Sequence, residues 1–288
     1  MATPSDDSGI ADLCQKTKNL VPQDLGSEAW TLLAGAIIAQ STKPHHLATL
    51  YTHLTTTDPN FNTPASRTRL SLRFRDLLLK QVTLVGAPQV LCAVIPLAKA
   101  DASDHGAQHA SVAAAAQAST LSPQWHDISV PAIHARGSQT IDTIYGPLLP
   151  SIFDSFGAHS ADVQFMELFS VYGMYLSEFT HLTPLETELV VFVTIMCTGL
   201  RGPGLWHMRG MGRLLGARGT DEGTEQMRKI KDQLRDVKVA AMEVVEWLGE
   251  EMVVKSGLNG GMDGRGWANV GDVVRELGGW GDDPLPAA

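Results

Sequence analysis

Two titratable residues in LETELVVFVTIMCTGLRGPGLWHMRGMGRLLG, Leu185 to Gly216, have the types and setting for proton transfer. Glu188 opens an almost wholly apolar run, and His207 follows nineteen residues later. Burial disfavours the charged carboxylate and raises its pKa, and an imidazole titrates near neutral pH. Brought together, the two form an acid/base relay. Each also has a plainer role, Glu188 as a complement to a helix dipole and His207 as a structural core histidine. Glu186 already fills the helix cap, so Glu188 is not needed for it. Arg201 and Arg209 are candidates to hold a substrate carboxylate or enolate by bidentate bonds, with surface charge as their commoner role. Trp206 flanks His207 as a candidate substrate contact. His45 and His46 stand at the matching place in an earlier segment, either as polar site groups or as helix-start histidines facing solvent.

Two antiparallel helices are needed to bring Glu188 to His207. Thr183-Pro184-Leu185-Glu186 reads as a capping box with proline at the first helical position, and the buried helix behind it should end near Gly199. Gly202-Pro203 starts the next helix and Gly216 closes it. Upstream, WTLLAGAIIAQ predicts a buried helix with Ser27 as N-cap and Glu28 in its first turn, followed by a helix from Pro44. LSLRFRDLLLKQVTLVG, from about Arg69, predicts a helix stopped near Gly86. Pro88 starts another, with Pro96 as a kink or stop. A long amphipathic helix is expected from Thr220 through VVEWL. Strand-like alternation is scarce, so the fold class is all-α.

The segments EAWTLLAGAIIAQSTKPHHLATLYTHL and TELVVFVTIMCTGLRGPGLWHMRGM share an order: acid, apolar helix, polar break, proline, histidine, second helix. Matching Glu28 with Glu188 gives acid-to-proline intervals of sixteen and fifteen residues and suggests an internal helical-hairpin repeat. Three regions follow: an N-terminal extension over 1–26, a helical domain over 27–248, and a glycine-rich C-terminal tail over 249–288 that reads as loosely attached. An Ala/Ser-rich insertion at about 98–123 interrupts the domain and reads as mobile, its His105 and His109 as solvated rather than metal-binding.

Composition narrows the classes. A net charge of −9 argues against a nucleic-acid binder, and the basic cluster Arg67, Arg69, Arg73, Arg75 and Lys80 reads as a solvated helix face. Cys14, Cys92 and Cys197 are too few and too far apart for a disulfide framework or a metal pair, which fits reduced thiols in the cytoplasm. The acidic N-terminus predicts neither a signal nor a transit peptide. The uninterrupted apolar runs fall short of the roughly 20 residues of a membrane span. No phosphate-binding glycine loop follows a strand, so no cofactor is expected.

The pattern from TPLETELVVFV to WHMRGMGRLLGARGTDEGTEQMRKI resembles the carboxymuconolactone decarboxylase-like and AhpD-like alkylhydroperoxidase superfamily. LLLKQVTLVGAPQVLCAVIPL, IDTIYGPLLPSIF and VYGMYLSEF are similar to its other segments, so the resemblance spans about 27–240. It implies an AhpD-like helical bundle, homo-oligomers such as trimers or hexamers, and a small-molecule substrate. The peroxidase branch places cysteines twelve and fifteen residues after the glutamate, where this chain has Leu200 and Pro203. Cys197 lies only nine residues after Glu188, so thiol peroxidase chemistry is disfavoured. Some decarboxylase-like members carry an acid four residues before the histidine, at Pro203 here. The expectation is a cofactor-free acid/base enzyme of lyase or isomerase type acting on a small organic acid or polyketide-like carbonyl compound. A non-catalytic helical binding or assembly module is the alternative.

Overall fold

The computed structural model describes residues 5–104, 128–260 and 264–281, whose regular elements are all helices, with no strand among them. The helices are α1 (Ser5–Leu20), α2 (Ala29–Gln40), α3 (His46–Thr57), α4 (Pro64–Asp104), α5 (Val130–Tyr145), α6 (Leu149–Ser155), α7 (Ser160–Phe165), a π-helix (Met166–Leu176), α8 (Pro184–Met196), α9 (Arg201–Gly212), a short π-helical turn (Arg213–Ala217), α10 (Glu225–Leu248), α11 (Glu250–Ser256) and α12 (Val270–Leu277). The all-α expectation holds.

Hydrophobicity without a polar face places α2 and α8 at the centre. Every residue of α2 is buried, and so is α8 from Glu186 to Met196. They pack on one another and on α4. On α8, Leu189, Val190, Phe192 and Val193 join the main core, while Val191 and Ile195 join a smaller cluster with Ile141, Ile144, Tyr145, Ile152, Tyr172 and Leu176. Glu188 lies three and seven residues before Val191 and Ile195, a spacing that puts it on the face toward the smaller cluster.

Two side chains of α4 tie the central helices together. Arg73 reaches Glu186 at 2.6 Å through Nη2 and Glu28 at 3.6 Å through Nε, so one guanidinium sits at the head of both apolar helices. Two turns later, Gln81 Nε2 donates to the Ala36 carbonyl at 2.8 Å and to Thr194 Oγ1 at 2.9 Å. Lys80 is fully buried, bonded to Asp76 at 2.9 Å and to the Glu178 carbonyl at 2.8 Å. Burial pushes the Asp76 carboxyl up and the Lys80 ammonium down. Arg73 and Lys80 therefore leave the solvated face to which their charge pattern assigned them.

Several boundaries differ from expectation. The cap of α2 is Glu28 rather than Ser27, and α3 begins at His46. Helix α4 starts at Pro64, bends where Gly86 takes φ +80°, and carries Pro88 and Pro96 within its second half. The capping box at Thr183 is present, with the Glu186 N–H donating to Thr183 Oγ1 and the Thr183 N–H to Glu186 Oε2. Helix α8 is capped by Cys197, two residues before Gly199, and α10 starts behind a Thr224 cap. Helix α4 runs on through Ala98–Asp104, where the Asp101 carboxylate accepts from Tyr51 and Ser71; the rest of the expected insertion, with His105 and His109, lies outside the described residues. One helix, Pro64–Asp101, is long and apolar enough by composition to cross a membrane, its most apolar window averaging 1.6 in hydropathy. Interrupted by polar side chains and a kink, it does not read as a span in the uninterrupted runs.

The first and last described segments join the core. Ile10 and Leu13 of α1 are buried, with α1 packed on α10, so the described part of the expected N-terminal extension belongs to the core. The described parts of the glycine-rich stretch, 249–260 and 264–281, are anchored rather than loose. Trp267 and Trp280 are buried, and Trp280 occupies the space a Cβ at Gly212 would need, 2.1 Å away. Aromatic side chains among the glycines supply the burial that composition alone concealed.

Candidate functional site

Helix α9 returns antiparallel along α8 and brings His207 to Glu188. The His207 Nδ1 to Glu188 Oε1 distance is 2.8 Å, with His207 4% and Glu188 3% exposed. This approach depends on Gly210, since a Cβ there would stand 2.6 Å from Glu188 Oε1 and 2.6 Å from Ile144 Cγ2. Burial pushes the Glu188 carboxyl up, and His207 offsets part of the rise.

The relay extends beyond the expected pair. His207 Nε2 lies 3.0 Å from the Tyr145 hydroxyl, which accepts from the Tyr172 hydroxyl at 3.3 Å. With the Nδ1 hydrogen assigned toward Glu188, Nε2 accepts from Tyr145 and a single direction of donation runs Tyr172, Tyr145, His207, Glu188. Burial pushes both phenols up, so both are protonated at neutral pH. Glu188 fixes the imidazole tautomer, and the imidazole draws on the Tyr145 proton, the same logic of base and orienting carboxylate found in hydrolytic triads.

Local chain geometry explains the tyrosines. Tyr145 ends α5 where Gly146 turns at φ +50°. Tyr172 lies on the π-helix, which crosses α5 with Gly137 against Gly173; a Cβ at Gly137 would stand 2.2 Å from the Leu168 carbonyl. Only this glycine-to-glycine crossing lets the two tyrosines meet. Both stand in Tyr-Gly pairs, and the chain holds four tyrosines in all, so the pairing of phenol with glycine was the available signal.

The pair lies between two cavities. One, of about 440 Å³, is lined by Glu188 together with Thr187, Thr140, Ser177 and Arg136. The other, of about 260 Å³, is lined by His207, Tyr145, Trp206 and Glu167 among mostly apolar side chains. Tyr172, Leu176 and Val191 border both.

Of the other expected site residues, only Trp206 is brought to this place, its ring 6.4 Å from that of Tyr145. Arg201 is bonded to Asp272 at 2.6 Å and to Glu276 at 2.7 and 2.9 Å. Arg209 is 3% exposed, its Nε donating to the Gly279 carbonyl and its Nη1 to the Tyr145 carbonyl, each at 2.7 Å. Neither lines a cavity described above. Arg201 fastens α12 to α9, and Arg209 braces Tyr145 from behind. His45 and His46 stack with ring centroids 4.4 Å apart, and His46 meets Trp247 at 5.2 Å, away from both cavities. Cys197 is wholly buried, its thiol pushed up by desolvation, and lines neither cavity. Among the described residues no group of three His, Cys, Asp or Glu side chains is placed to hold a metal ion.

Fold and site together define an all-helical protein with a buried Glu–His–Tyr–Tyr relay beside an apolar cavity. Comparison with protein-family models, curated proteins and solved structures finds no match to the chain.

Proposed function

We propose that the protein is a cofactor-free acid/base enzyme that moves a proton next to a carbonyl of a small organic molecule, by decarboxylation, isomerisation or dehydration. The observation that carries this reading is the continuous chain from Glu188 through His207 to Tyr145 at the wall of a cavity. Tyr145 can accept a substrate proton while passing its own to His207 Nε2, and the resulting imidazolium is balanced by Glu188. The resemblance to the carboxymuconolactone decarboxylase-like superfamily points the same way. A thiol peroxidase finds no support in Cys197, whose buried, neutral thiol is neither nucleophilic nor accessible.

A metabolite screen by thermal shift, with products read by mass spectrometry, would identify the substrate. Glu188→Gln and His207→Ala proteins that fold and turn that substrate over at the wild-type rate would end the proposal. A second reading, a non-catalytic binding or assembly module, draws on the mutual satisfaction of the four buried groups, a pattern that also stabilises cores. It predicts that these variants lose stability and no activity is found.

By the same resemblance we propose a cytoplasmic homo-oligomer, a trimer or hexamer. Leu91 and Ile95, 54% and 56% exposed on the second half of α4, are apolar surface such an assembly would cover. Light scattering that returns the 31.0 kDa chain mass would refute it.

A further inference from the structure

The 260 Å³ cavity contains a carboxyl that the relay does not use. Glu167 lines it together with His207, Tyr145 and Tyr172. Among the described residues no hydrogen bond or ion pair reaches the Glu167 side chain, although it is half-buried. Its position follows from the π-helix. The i to i+5 bonding of that helix widens its turn, and Glu167, Tyr172 and Leu176 all line the same cavity. Burial pushes the Glu167 carboxyl up, further than nearby His207 brings it down.

The charge of the lining is equally informative. Among the described residues no lysine or arginine lines this cavity, and its titratable groups are Glu167, His207 and the two phenols, set among side chains such as Leu84, Ile152, Phe153 and Ile195. A carboxylate substrate would lose its hydration there and meet no cation. A neutral carbonyl compound would bury its carbon frame and offer one oxygen to a donor.

We propose that Glu167 is a catalytic residue of this cavity, the acid that donates to the oxygen of an uncharged carbonyl substrate. The expected small organic acid or polyketide-like carbonyl compound is thereby narrowed to a neutral ketone or enone. Only the proton-transfer step rests on the relay reading given above; the ligand class and the hydrogen bond from Glu167 do not. In that step the Cα–H bond breaks and its electron pair forms the C=C bond. The carbonyl π pair moves to oxygen, which takes the Glu167 proton. The abstracted proton goes to the Tyr145 oxygen as the Tyr145 hydrogen passes to His207 Nε2. Reversal at the same or a vinylogous carbon returns both protons, so exchange or isomerisation needs no co-reactant.

Phenylacetone and phenylacetate, a ketone and a carboxylate of nearly equal size, test this with the full chain. Calorimetry should show phenylacetone binding at least about tenfold more tightly than phenylacetate. Glu167→Ala should weaken the ketone by about tenfold, the loss of one donor to a buried oxygen, and Glu167→Gln by less, because its amide still donates. In D2O, proton NMR should show exchange at the carbon beside the ketone, about 10²-fold slower in Glu167→Gln. Equal or tighter phenylacetate binding, or no binding of either probe, overturns the ligand class. Unchanged ketone affinity in both Glu167 variants overturns the role of Glu167. Ketone binding weakened by Glu167→Ala, with no exchange in the wild type, leaves the ligand class and the Glu167 hydrogen bond standing and overturns the proton-transfer step with the relay behind it.

Discussion

The hairpins α2–α3 and α8–α9 share an order of residue types, yet only the second builds the proposed proton relay. Arg73 and Gln81 show how they correspond. The same interval of 158 residues separates Glu28 from Glu186, both on Arg73, and Ala36 from Thr194, both on Gln81. The acid that answers Glu28 is therefore Glu186, and the sequence match of Glu28 with Glu188 was two residues out of step. At this interval Glu188 corresponds to Trp30, His207 to Thr49 and Gly210 to Thr52. One hairpin buries an indole where the other buries a carboxyl. Shared positions hold the helices to α4, whereas the unshared ones carry the candidate chemistry.

Substitutions at matched positions break this comparison most sharply in turnover. His207→Ala or Glu188→Gln should lower the rate on an identified substrate by about 10²- to 10⁴-fold, while Glu28→Gln should leave it within about twofold. Comparable losses from Glu28→Gln would erase the distinction. Next in size, Arg73→Met removes the one group common to both heads and leaves the Glu186 carboxylate buried without its cation. Urea denaturation should show a loss of about 3 kcal/mol, and a loss below about 0.5 kcal/mol would mean that the helices are registered by packing alone. Gly210→Ala forces a methyl between Glu188 and Ile144 and should cost about 1–3 kcal/mol. Its counterpart Thr52→Ala, at an exposed position, should stay within about 0.5 kcal/mol.

The smallest effect concerns acid. Arg201 and Arg275 hold the Glu276 carboxyl down to about 2, below its ordinary range. A depressed carboxylate adds stability above its unfolded pKa of about 4.3, lost as pH falls through the folded value. Between about pH 4 and 2, tryptophan fluorescence should report release of Trp280 and Trp267. Glu276→Gln should remove that acid-dependent phase, and its persistence would shift the cause elsewhere.

Periodicity and caps made much of this legible. The all-apolar patterns of α2 and α8 placed them in the core, and the Thr183 capping box was readable in four residues. The Glu188–His207 contact followed from two antiparallel helices and one spacing. Tyr145 and Tyr172 did not, because they meet only where Gly137 crosses Gly173, 36 residues apart in the chain. Lys80 resisted for a different reason: a lysine among arginines looks solvated until Asp76 and two backbone carbonyls from the 175–178 segment close over it. Arg201 and Arg209 looked like anion binders because type and spacing do not reveal that α12 and the Gly279 carbonyl come first.

Arg209 also sets an order in time. Its guanidinium joins the Gly279 and Tyr145 carbonyls, so the backbone behind the Tyr145 phenol acquires this partner only after residue 279 has left the ribosome. Most of the helical frame can form earlier from chain already made. On this scheme the frame precedes the brace behind Tyr145, and the proposed proton chemistry waits on the 279–280 segment.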